Sequence, residues 1–142
     1  MSPKRVSAIL FFIFWMTGIS FSGFSETFYG ETKTGLIELK EFRYPVFLYV
    51  PEGVKPGRRY PLIVAMPEEG RSPKENIAKW TTAANRRTML VLSPMYERID
   101  DLPNSYDRWL MELKDLVELQ YPVNSQKIFL IGQKSSASYV GY

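Results

Sequence analysis

The 142-residue sequence contains no cysteine and no histidine. Without cysteine there is no disulfide framework, thiolate zinc site, iron–sulfur cluster or cysteine nucleophile. Without histidine, a Ser-His-Asp or Cys-His mechanism lacks its general base within this chain. Charge of one sign is scarce as well. Eighteen basic against 15 acidic residues leave a net charge of +3, too little to point to nucleic acid or an anionic membrane surface. No GxGxxG follows an apolar run and no GxxxxGK[ST] occurs, so no cofactor is expected. The acidic pairs Glu68-Glu69 and Asp100-Asp101 fall in polar loops without ligand spacing, and no metal site is expected from them.

What is present is globular in composition, with 45% hydrophobic and 15% aromatic residues. The first 25 residues differ from the rest. Lys4 and Arg5 make a basic start, Ala8 to Met16 (AILFFIFWM) is continuously apolar, and Ser20 to Ser25 is mostly small. That order predicts a signal peptide over residues 1–25, cleaved after Ser22 or Ser25, and a secreted or periplasmic destination. An uncleaved membrane anchor over residues 6–25 is the alternative, because about 20 uncharged residues can span a bilayer. Removal of residues 1–25 takes Lys4 and Arg5 and leaves one domain, 26–142, with a modest core.

Along that domain, Leu36–Leu39 and Pro45–Val50 read as two strands with no helix between them, an antiparallel edge hairpin. A loop rich in Pro and Gly follows. Pro61–Met66, Thr88–Ser93 and Lys127–Gly132 are short apolar runs, the pattern of strands buried on both faces. Ser72-Pro73-Lys74-Glu75 combines an N-cap, a proline at the first helical position and a capping box, predicting a helix to about Arg87. Trp109, Leu113, Leu116 and Val117 define the apolar face of a second helix over Tyr106–Gln120. Strands alternating with helices imply an α/β fold with a mostly parallel sheet and helices on both faces.

Four segments in this order resemble the front half of an α/β-hydrolase, in the group of secreted esterases and polyhydroxybutyrate-depolymerase-like proteins. Tyr44–Gly53 (YPVFLYVPEG) is similar to that group's YxLYVPEGY strand and turn. Tyr60–Met66 resembles its YPLVVFL strand, which leads to the oxyanion loop. Gln120–Gly132 is similar to xYPVDPxRIYLTG, the run into the nucleophile strand. Gly132–Tyr142 then aligns without gaps on a GxSxG elbow and its helix. The resemblance implies a serine-dependent carboxylic-ester hydrolase ancestry and an ester or polyester ligand. It also implies a truncated sheet, whose elbow strand becomes an open edge available for self-association.

The chain departs from the family's pattern where the chemistry sits. In GxSxG the serine occupies a strained strand-to-helix turn flanked two places either side by glycine. Here the segment reads Gly132-Gln133-Lys134-Ser135-Ser136. Lys134 holds the nucleophile position and is not expected to function there; Ser135 is the weaker alternative nucleophile, and Ser136 takes the second glycine position. After the third strand the family's His-Gly is replaced by Pro67-Glu68, then Glu69-Gly70. Pro67 has no N–H to donate, and Glu68 and Glu69 put two carboxylates where the resemblance places an oxyanion hole, which works through donors. The later acid and base of the triad have no counterpart. The expected protein is therefore catalytically inactive, with a non-enzymatic binding module or an active hydrolase completed by a second chain as alternatives. For Lys134 two structural readings stay open: an ion pair with Glu68 or Glu69, or a solvated side chain on an exposed turn.

Overall fold

The computed structural model describes residues 32–95 and 103–140. The leader reading over residues 1–25 and the pair Asp100-Asp101 lie outside them. Five strands form one mixed sheet: β1 (Gly35–Glu38), β2 (Val46–Val50), β3 (Tyr60–Met66), β4 (Leu90–Pro94) and β5 (Val123–Gly132). Their spatial order is β1-β2-β4-β3-β5. β1–β2 and β2–β4 are antiparallel, whereas β4–β3 and β3–β5 are parallel. The α/β class and the antiparallel edge hairpin expected from the sequence are present, around a parallel core.

Strand character follows from side-chain alternation. In β2, Val46, Leu48 and Val50 are fully buried while Phe47 and Tyr49 are half-buried, so successive residues face different layers. In β3 every residue from Leu62 to Met66 is buried, because helices cover both faces of its neighbourhood. One layer gathers Val46, Leu48, Leu62, Val64, Leu90 and Leu92 against Leu113 and Val117 of α3 (Pro103–Gln120). The other layer packs Ile63, Ala65 and Val91 against Ile77 of α1 (Pro73–Ala78) and Ala84 of α2 (Thr81–Arg87). Trp80 and Trp109 pack half-buried against these two layers, Trp109 edge-on to Phe42 and Tyr44 at 6.4 Å.

The start of α1 is built as the sequence predicts: Ser72 Oγ accepts the N–H of Glu75 at 3.2 Å, with Pro73 first in the helix. Its end is not. The single helix expected to Arg87 is two, because the Lys79 and Trp80 amides bond three residues back, to Asn76 and Ile77, and tighten the chain. Thr81 Oγ1 donates to the Ala78 carbonyl at 3.1 Å and closes the break. Asn76 of α1 is buried against the sheet, its Nδ2 donating to Ala65 O at 2.9 Å and Ser93 Oγ at 3.0 Å. Ser93 Oγ in turn donates to the same Ala65 carbonyl. These bonds tie α1 to the exit ends of β3 and β4.

β5 begins four residues earlier than expected. The Tyr60 N–H donates to Pro122 O at 2.8 Å, and the register slips between Tyr60 and Leu62, so the ladder is drawn out to a buried Val123. α3 also begins earlier, at Pro103 instead of Tyr106. After β5 the chain turns into a 3₁₀ helix, Lys134–Tyr139. No helix among the described residues is long and apolar enough to cross a membrane.

Candidate functional site

β3 and β5 are parallel neighbours, and their last residues, Met66 and Gly132, are paired across the ladder. The loops that follow them must therefore emerge side by side. This is the edge of a parallel sheet where ligand sites form, at the carboxyl ends of the strands. Pro67–Arg71 supplies one wall and Gln133–Ser136 the other.

The second wall is a strained turn. Lys134 has φ 52°, in the left-handed region, which costs a side-chain-bearing residue about 1–2 kcal/mol. Packing around it holds the turn in place. Ser136 is fully buried, and its Oγ accepts the Gln133 N–H at 2.8 Å and lies within bonding distance of Met66 O and Gln133 O. Gly132 lies so close under Ser136 that a β-carbon there would sit 2.7 Å from the Ser136 carbonyl carbon. The turn therefore has a glycine two places before its apex and a locked small residue two places after, with Lys134 at the apex.

From that apex Lys134 reaches across to the first wall. Its Nζ donates to Glu68 Oε2 at 3.2 Å, while the lysine side chain remains 77% exposed and that of Glu68 only 16%. Both sequence readings of Lys134 thus hold in part: the ion pair with Glu68 forms, on a solvated turn. Glu68 has two further cations. Arg71 Nε lies 3.3 Å from Oε2, and Lys79 Nζ lies 3.7 Å from Oε1. The Lys134 hydrogen bond is the main reason the Glu68 carboxyl is held below its ordinary range; desolvation opposes the shift, and the charges of Lys134 and Lys79 and the Arg71 hydrogen bond add to it.

A second tie joins the walls. The Glu69 N–H donates to Ser135 Oγ at 3.1 Å. Glu69 itself is exposed, Pro67 is buried, and Ser135 is exposed at the first turn of the 3₁₀ helix. The residues singled out in the sequence, Glu68, Glu69, Lys134 and Ser135, are thus brought together in one place, as two cross-loop bonds. The roles of Arg71 and Lys79 were not legible in the sequence. The basic residues following the Glu pair were the available signal, but the fold of the loop decides which of them turn inward. Among the described residues no group of three or more acidic side chains is placed to hold a metal ion.

Beside the first wall lies an open cleft of about 720 Å³, floored by Pro45, Phe47, Pro73 and Met95 and rimmed by Arg71 and Lys74. That volume is in the range of small-molecule sites.

No family model and no curated protein matches the sequence. Solved structures do match in fold. The chain is similar to the LpqC poly(3-hydroxybutyrate) depolymerase from Bordetella parapertussis, with a TM-score of 0.57 and 13% identity over 73% of this chain and 44% of that one. It is also similar to a thermostable esterase, with a TM-score of 0.54 and 16% identity over 75% of this chain and 36% of that one. Both are of α/β-hydrolase type. This chain spans less than half the length of either structure. The described strands and helices thus share the fold of part of each of those two structures.

Proposed function

We propose that this chain is an exported, esterase-like α/β-hydrolase domain that does not itself hydrolyse esters. The observation that carries the reading is Lys134 at the apex of the strained turn. In this fold the apex presents the nucleophile; here the apex carries a lysine whose Nζ is bonded to Glu68 Oε2, in place of a serine hydroxyl. One feature supports it. The Glu69 N–H, on the loop where such enzymes place an oxyanion donor, is engaged by Ser135 Oγ.

The alternative of an active hydrolase using Ser135 or Ser136 with groups from a second chain finds little support in the geometry. Ser136 Oγ is buried in backbone hydrogen bonds, and Ser135 Oγ is tied to the opposite loop. Export rests on the basic–apolar–small order of residues 1–25.

Retention of a ligand without turnover is the second reading, favoured by the cleft over Phe47 and Met95. Its apolar floor suits the acyl chain of an ester or short polyester, and its rim carries both cations, Arg71 and Lys74, and carboxylates, Glu38 and Glu69. The test is turnover of a nitrophenyl butyrate ester by the purified chain, with fluorophosphonate labelling in parallel. Neither turnover above the buffer rate nor labelling is expected. Labelling of Ser135 or Ser136 with ester turnover would overturn the reading.

A further inference from the structure

We propose that the end of the sheet opposite the candidate site is a docking face for an anionic phospholipid surface, to which the chain binds reversibly. The inference does not depend on whether the elbow is catalytically silent.

The strand register brings five chain ends together there. Gly35 pairs with Val50, Leu62 with Leu90 and Tyr60 with Val123, and β2 runs antiparallel to β4. β1, β3, β4 and β5 therefore begin at this end, and β2 finishes at it. The residues flanking these ends are basic. Lys33 precedes β1, Lys55, Arg58 and Arg59 lie on the loop from β2 to β3, and Arg86 and Arg87 close α2 just before β4. All six are exposed.

Contacts between these segments make them one surface. A β-carbon on Gly53, in the β2–β3 loop, would lie 3.3 Å from Thr88 Oγ1, so the loop rests against the residue that follows Arg87. Arg59 Nη1 donates to Val123 O at 3.4 Å, and the Tyr60 N–H donates to Pro122 O at 2.8 Å. These two bonds fasten the far end of the loop to the start of β5. Within the loop the Arg58 N–H donates to Lys55 O, and the Tyr60 hydroxyl accepts the Lys55 N–H. Lys55, Arg58 and Arg59 thus project from a short, tied turn.

The net charge of +3 conceals this segregation. Among the described residues none of the six cations forms an ion pair, and the β2–β3 loop holds one carboxylate, Glu52. Asp115 and Glu118, towards the end of α3, are both paired with Lys114. At the opposite end of the sheet the signs are mixed, and Lys134, Arg71 and Lys79 all converge on Glu68. A cluster of unneutralised cations sets a local positive potential that the net charge does not report.

A lipid surface suits this face better than nucleic acid. Single-strand binders interleave cations with exposed aromatic rings, whereas Tyr49, Tyr60 and Tyr121 at this end are half-buried. Duplex is read by a helix or ribbon laid in a groove, and here the cations sit on a loop, a strand approach and the last residues of a short helix. Clusters of about four to eight basic residues beside an apolar segment are the pattern that binds anionic headgroups. The uncharged stretch Val6 to Ser25 joins the chain on this side, with residues 26–32 between it and Lys33. Retained, that stretch would hold the face against a bilayer; cleaved, it leaves the cations to bind alone.

Co-sedimentation of the full chain with vesicles tests this, comparing phosphatidylglycerol mixed into phosphatidylcholine with phosphatidylcholine alone. The neutral vesicles report any partition of the apolar stretch, and the difference reports the basic face. Each cation that reaches the surface contributes about fivefold, so the anionic vesicles should bind at least about a hundredfold more tightly at low salt. Most of that preference should vanish in about 1 M salt, where the screening length is about 3 Å. Arg58→Glu combined with Arg86→Glu should lower the preference at least about 25-fold. Lys40→Glu combined with Lys74→Glu makes the same change in net charge at the opposite end of the sheet, and should alter the preference less than about threefold, beyond the reach of screening. All four residues are exposed, so far-UV circular dichroism should not change. Equal binding to both kinds of vesicle, a preference indifferent to salt, equal losses in the two double variants, or a short DNA duplex bound as tightly as the anionic vesicles would each overturn the proposal.

Discussion

Gly132 and Ser136 are packed so closely that no side chain fits between them: a β-carbon on Gly132 would lie 2.7 Å from the Ser136 carbonyl carbon and closer still to its oxygen. Gly132 is not in a left-handed conformation, so this glycine is required by close approach and not by its backbone angles. Gly132→Ala must therefore push the 3₁₀ helix off the end of β5. The expected cost is about 3 kcal/mol, the upper end of overpacking penalties, read as a lowered urea midpoint at unchanged slope.

Lys134 presents the opposite case, where the backbone angle and not the space is the constraint. Lys134→Gly relieves about 1–2 kcal/mol of left-handed strain and adds about 0.5–1 kcal/mol of unfolded-chain freedom. The exposed ion pair with Glu68 contributes little. Thermal unfolding should therefore place Lys134→Gly within about 1 kcal/mol of the parent. Lys134→Val, β-branched at the same angle, should be lower by a further ~1–2 kcal/mol.

Glu68 makes the site sensitive to acid. Its folded carboxyl titrates below the unperturbed value of 4.5, chiefly because Lys134 hydrogen-bonds the ionised form. A depressed folded value means that the stabilisation is fully present above the unfolded value and disappears as pH falls through the folded one. Glu68→Gln has no such titration. The stability difference between parent and variant should be flat above about pH 5 and shrink below 4.5, as followed by chemical denaturation across pH. A difference that grows on acidification would contradict the pairing.

Asn76 is a buried polar side chain bonded to both β3 and β4. Asn76→Ala removes two buried hydrogen bonds and opens a small void, at an expected cost of about 2–3 kcal/mol. Asn76→Asp should cost more than the alanine variant, because it aims a carboxylate oxygen at the Ala65 carbonyl. Guanidinium denaturation of the two variants would give the order.

The strands and the layer pattern were legible in the sequence because their signal is local. Leu62 to Met66 could be read as doubly buried from the unbroken apolar run alone. The helix break at Lys79-Trp80 was not, since nothing from Ala78 to Asn85 is a helix breaker; it depends on carbonyls three residues back and on the Thr81 hydroxyl. The early start of β5 was hidden for a related reason. Asn124, Ser125 and Gln126 are poor strand formers, and the ladder is extended there by a bond from Tyr60, more than sixty residues away. At the site, the pairing of Lys134 with Glu68 followed from the chain order of adjacent strands. The bond from Glu69 N–H to Ser135 did not, because it is fixed by the direction of one peptide plane in a loop.

The strand order has a consequence for how the molecule is made. β1, β2, β4 and β3 lie side by side in space, and all four have been synthesised once the chain reaches Pro94. A four-stranded layer can therefore close on a nascent chain before α3 exists. Of the described strands β5 arrives last, and Leu62 meets Ile128, 66 positions further along the sequence. Closing so long a loop is slow relative to local pairing. Until it happens the inner edge of β3, among the most apolar strands of the protein, is bare. That interval, more than the finished fold, is when the chain is exposed to mispairing and most in need of a chaperone.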